Sequence, residues 1–90
     1  MFRQGKNIIV VYGENHNMIG VADSYKAAVD CVRSWWGGRI EIYDKELDEF
    51  RRVTIDEEKE IYAYGISKFN EFFSDSGFYL EVQKLWTAER

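Results

Sequence analysis

The stretch from Asp56 to Gly77, DEEKEIYAYGISKFNEFFSDSG, constrains this chain more than any other. Its apolar positions Tyr62, Ile66, Phe69 and Phe73 step by four, three and four residues, the period of one helical face. A stripe of rings like this is stable only when another element covers it. Asp56 stands where an N-cap belongs. Glu57, Glu58 and Glu60 place negative charge at the positive end of the helix dipole, and Gly77 supplies a left-handed stop. The spacing therefore predicts one helix across the whole segment. Gly65 interrupts the stripe at a cost of about 1 kcal/mol relative to alanine. Either another backbone approaches it closely, or the fold tolerates a weak spot there.

Something must cover that stripe, and 90 residues allow a single domain to do it. A chain of this length buries only about 60% of its unfolded surface, so its core has to be rich. Six Phe, six Tyr and three Trp make it so, since each buried ring removes roughly 150–250 Å² from water. Cys31 is the only cysteine, which excludes an internal disulfide. The opening MFRQGKNIIVVYG has no basic-then-apolar signal pattern, and with the lone thiol it predicts a reducing, cytoplasmic setting. No apolar run approaches the roughly 20 residues needed to span a bilayer, so no membrane association is expected.

Residues 7–12, NIIVVY, are β-branched and apolar almost throughout, which predicts a central strand buried on both faces. Gly13–Asn17 is turn material, and Met18–Val21 returns as a short second strand. Asp23 or Ser24 caps a helix over 25–36 that Gly37 and Gly38 end. Arg39–Tyr43 alternates as a half-exposed strand, Asp44–Glu49 is a charged turn, and Phe50–Ile55 returns with Val53 and Ile55 on one face. After the aromatic helix, Phe78–Trp86 reads as a last strand whose alternation slips between Val82 and Leu85, a place for a bulge or an early strand end. The order β(β)αββαβ predicts an α+β fold: an antiparallel sheet with two helices on one face, ferredoxin-like or a related roll.

The chemistry-bearing residues are few. His16 is the only histidine, in a polar turn, which leaves nucleophilic triads and metal sites short of members. Cys31 sits beside Val32 on the first helix, where small buried thiols are common, and Arg33, though near in sequence, projects elsewhere. The glycines match neither dinucleotide nor P-loop spacing, and Phe50–Ile55 lacks the aromatic signature of an RNA-recognition strand. No catalytic residue, cofactor or metal is therefore expected. Residues 44–60 hold eight acids against four bases, while the rest of the chain is nearly balanced. Such a charge disfavours direct nucleic-acid binding, which needs clustered Lys and Arg. The acidic run reads either as a solvated, salt-bridged surface or as a patch facing a basic protein, through Asp44, Glu46, Asp48, Glu49, Glu57 and Glu58. Trp35 and Trp36 cannot both face the core, because neighbours on a helix are about 100° apart. Trp35 is the expected partner-binding anchor, with an edge-of-core role for it or for Trp86 as the alternative.

The run VVYGENHNMIGVADSYKAAVDCV over residues 10–32 resembles a pattern in small accessory proteins of phages and mobile elements of Gram-positive bacteria. Together with small size, acidity and exposed aromatics, it is similar to the general profile of phage-encoded inhibitors, including anti-CRISPR proteins. That resemblance implies a non-enzymatic inhibitor or regulator whose acidic surface targets a basic nucleic-acid-binding protein, such as a CRISPR nuclease. It assigns no individual residue. The alternative expectation is a ligand-sensing or dimerising ferredoxin-like domain, with a possible homodimer formed through a sheet face or edge.

Overall fold

The structure is a computed structural model that describes the backbone of residues 2–88 and the side chains of residues 7–84. It is α+β, as expected, with antiparallel sheets. β1 (Phe2–Tyr12) and β2 (Met18–Ala22) form a hairpin over a 3-10 turn at Glu14–His16, and α1 (Tyr25–Trp35) follows. β3 (Glu41–Asp44) and β4 (Glu49–Arg52) make a second hairpin; α2 (Ile55–Ala63), α3 (Ile66–Phe72) and β5 (Tyr79–Ala88) complete the order.

The NIIVVY segment is central, with β2 on one side of β1 and β5 on the other. Ile9 opposes Ala22, and Val11 opposes Gly20 and Leu80, on the face turned to the core; Val82, opposite Ile9, lies beyond the core and is exposed. Val10 points the other way, opposite Val21 and Glu81, and is buried there without joining the main core. The register shift between β1 and β5 falls on the β1 side, between Gln4 and Asn7. The broken alternation read in β5 thus marks the right level of the ladder on the wrong strand.

The strands do not form one sheet. β3 and β4 pair only with each other among the described residues. The reason lies in the first hairpin: β2 and β5 occupy both edges of β1, so the second hairpin cannot enter beside it as a ferredoxin-like plan requires. It contributes Ile40, Ile42 and Val53 to the common core instead.

The long aromatic helix is two helices. Tyr64 and Gly65 are extended, with ψ values of 163° and 179°, and separate α2 from α3. A Cβ at Gly65 would meet nothing within 4 Å, so the glycine is a weak point where the helix breaks and not a contact point. The break lets Ile61, Phe69 and Phe73 all reach the core, while Tyr62 and Ile66 stay half-buried. Phe69 and Phe73 stack with centroids 4.3 Å apart, and Tyr25 of α1 meets Phe69 edge-on. The Tyr25 hydroxyl donates to the Ile61 carbonyl at 2.6 Å, joining α1 to the end of α2, and burial pushes its pKa up to about 12.

The cap of α2 is Thr54, not Asp56. The Thr54 hydroxyl accepts from Glu57 N–H at 3.1 Å, and the Glu57 carboxylate accepts from Thr54 N–H at 3.0 Å, a complete capping box. β4 consequently ends at Arg52. Val53 is buried and Ile55 is 74% exposed, so the two do not share a strand face. At α1 the expected cap Ser24 accepts from Ala27 N–H. Gly38 N–H to Arg33 O and Gly37 N–H to Ser34 O close the other end as a Schellman motif, with Gly37 at φ 78°.

Candidate functional site

The acidic segment divides by what its carboxylates do. Asp44 accepts from Glu46 N–H at 2.9 Å and Leu47 N–H at 3.3 Å, which folds the β3–β4 turn. Its other oxygen takes Arg51 Nε at 2.9 Å. Arg51 then grips Glu57 with both terminal nitrogens, at 2.9 and 3.0 Å. One guanidinium thus ties the hairpin to the first turn of α2. It holds the Glu57 carboxyl down at about 2, and it lowers Asp44 as well. Asp48, in the left-handed region at φ 53°, accepts the Tyr43 hydroxyl, and that bond raises the tyrosine's pKa. Glu58 pairs with Arg33 of α1 at 3.0 Å. Four of the six acids expected to face a partner therefore hold the fold together. Glu46 and Glu49 are exposed and form no ion pair among the described residues, and Asp56 and Glu60 join them on α2.

The second hairpin is fastened at its far side too. Ser76, a buried polar residue, accepts Tyr43 N–H at 3.0 Å, and Lys45 pairs with Asp75 at 3.2 Å. These contacts bring the hairpin against the turn before β5 and create a rim around the β1–β2 turn.

That turn reads in the sequence as simple connecting material, yet three clefts meet at Asn15. One, about 390 Å³, opens toward His16, Asn70, Ser74 and Tyr79. A second, about 420 Å³, opens toward Tyr43, Phe50 and Asp75. The third, about 380 Å³, lies between the turn and the end of α1, against Trp35, Trp36 and Phe78. Asn15 and His16 both have φ near 60°, a conformation that costs free energy for residues with side chains. Gly13 N–H to Asn17 O at 2.8 Å closes the turn, and His16 Nδ1 lies 2.9 Å from the Tyr79 hydroxyl. His16 is exposed, as expected of a turn residue, but it is partnered. The only sequence signal was the density of polar side chains between Gly13 and Met18, which no motif distinguishes from an ordinary loop.

Trp35 is 61% exposed, and Trp36 packs at 5.8 Å against both Phe50 and Phe78. The Trp36 Nε1–H is buried and has no acceptor among the described residues. The Trp86 side chain lies outside the described side chains. Cys31 is half-buried, burial raises its pKa, and its Sγ fills the space where a Cβ on Gly20 would stand, 2.5 Å away. That contact is close packing of α1 on β2.

Among the described residues no three His, Cys, Asp or Glu side chains gather in a group able to hold a metal, and no helix is long and apolar enough to cross a membrane. Compared with protein-family models, curated proteins and solved structures, the chain matches none.

Proposed function

We propose that this chain is a non-enzymatic inhibitor or regulator that binds a basic, nucleic-acid-handling protein through its acidic segment. The supporting observation is the surface that remains once the internal pairs are set aside. Glu46, Glu49, Asp56 and Glu60 stay unpaired among the described residues, and between them in the chain Leu47 and Ile55 are 56% and 74% exposed. Apolar anchors among four unpaired acids, which outnumber the exposed Arg52 and Lys59 of the same segment, suit an interface in which electrostatics steers encounter and the apolar contacts slow release. The resemblance to phage-encoded inhibitors, anti-CRISPR proteins among them, makes the basic channel of a nuclease the groove to try first.

The test is capture of partners from a host lysate at low and high salt, with the wild-type chain and with Glu46, Glu49, Asp56 and Glu60 all changed to lysine. Asp44, Asp48 and Glu57 are left intact, because reversing them would disturb the hairpin. A basic protein retained at low salt, released at high salt and lost with the four-lysine variant is the expected result. Undiminished capture by that variant would remove the acidic surface from the mechanism.

A second reading, self-association, is favoured by β5. Beyond β1 this ten-residue strand pairs with no other among the described residues. Sedimentation velocity at rising concentration checks it, and a monomer throughout would end it.

A further inference from the structure

The cleft between the end of α1 and the β1–β2 turn has a composition that selects its ligand. Its wall is aromatic and its rim is polar: Trp35, Trp36 and Phe78 face Glu14, Asn15 and Asn17 across about 380 Å³. No lysine, arginine or histidine lines it, so an anion would find a carboxylate and no counter-charge. Two groups lining it are unpartnered among the described residues. The Glu14 carboxylate makes no ion pair or hydrogen bond. The Trp35 indole is exposed and stacks on no other ring. Two of the rim residues, Glu14 and Asn15, are presented by a turn held in an unfavourable backbone conformation, with Asn15 and His16 both left-handed. Such strain persists where the surroundings fix it, and it concentrates at binding sites.

We infer that this cleft receives an arginine side chain from a partner polypeptide. A guanidinium is planar and weakly hydrated. It stacks on an indole face while its N–H groups donate to a carboxylate and to amide oxygens, which matches Trp35, Glu14, Asn15 and Asn17 in turn. The inference deepens the reading of a basic partner and rests on it for the source of the arginine, but its chemistry is testable without any partner.

The experiment is a titration of the ¹⁵N-labelled full chain with capped Gly-Arg-Gly, followed through the indole N–H resonances and assigned with Trp35→Phe. The matched control replaces arginine by citrulline, which keeps the shape and removes the charge. The expected result is a saturable shift of the Trp35 and Trp36 indole signals, with citrulline weaker by about tenfold and Glu14→Gln weakening arginine binding by about fivefold. Glu14 is exposed, so the variant keeps its fold, and its own spectrum verifies that. Equal binding of the citrulline peptide, or undiminished binding to Glu14→Gln, overturns the inference. A saturable peptide titration combined with failed capture of any basic protein would keep the cleft and remove the partner reading. The reverse combination would remove the cleft alone.

Discussion

Two regions of this molecule carry polar groups in quantity, and they use them in opposite ways. Around the β3–β4 hairpin and α2, the charges are dense in sequence and about half are satisfied in space: Arg51 holds Asp44 and Glu57, Arg33 holds Glu58, and Lys45 holds Asp75. Around the β1–β2 turn, few groups are charged, yet Glu14 and the Trp36 indole N–H have no partner among the described residues. A run of acids is therefore a weak guide to function, because carboxylates that cap helices and fold turns are consumed by the fold. Groups left unpaired beside a cleft are the better guide.

This contrast is open to direct attack through stability. Arg51→Met should have the largest effect, a loss of about 1–2 kcal/mol in urea unfolding, because it releases two half-buried carboxylates from one guanidinium. A loss near zero would mean that the network is ornamental and that its acids are available to a partner after all. Thr54→Ala should cost about 1 kcal/mol by removing one half of the capping box.

Acid titration sharpens the same point. The folded-state pKa of Glu57 lies below its ordinary value, so its contribution is fully present above the usual carboxylate range of about 4 and disappears as pH falls toward about 2. Unfolding free energy measured against pH should decline across that window in the wild type. The decline should be shallower in Arg51→Met.

The smallest effects belong to the groups assigned to binding. Lysine at Asp56, in the first turn of α2, should cost up to about 1 kcal/mol through the helix dipole, and lysine at Glu46, Glu49 and Glu60 should each change stability by less than about 0.5 kcal/mol. Trp35→Ala and Glu14→Gln should do the same, since both side chains are exposed. A loss of more than about 1 kcal/mol from either would turn the cleft into a structural feature and collapse the distinction between the two regions.

Much of the fold was legible in the residues. The apolar run at 7–12 marked the central strand, Ser24 and Gly37 bounded α1, and Asp44–Glu49 marked a hairpin turn. Even the capping box is present as Thr54-Ile55-Asp56-Glu57, beside an Asp56 that is an equally good cap by residue type. The break at Gly65 was visible as a cost but not as an event, since a four-three-four stripe fits a straight helix as well as a bent pair. Of the candidate site, Trp35 was legible, because adjacent residues on a helix must diverge. The β1–β2 turn was not, because its polar residues acquire meaning only when the end of α1, the second hairpin and the start of β5 surround them.

By itself, then, the amino-acid order determined what local physics decides: where helical and extended segments lie, and which hydroxyls and glycines can end them. The tertiary structure alone decided which charges remain free, that the second hairpin stays outside the main sheet, and that three clefts meet at Asn15. The physical reason is reach. Caps and periodicity act within a few residues along the chain, whereas ion pairing and enclosure depend on groups that are distant in sequence and become neighbours only when the chain has folded.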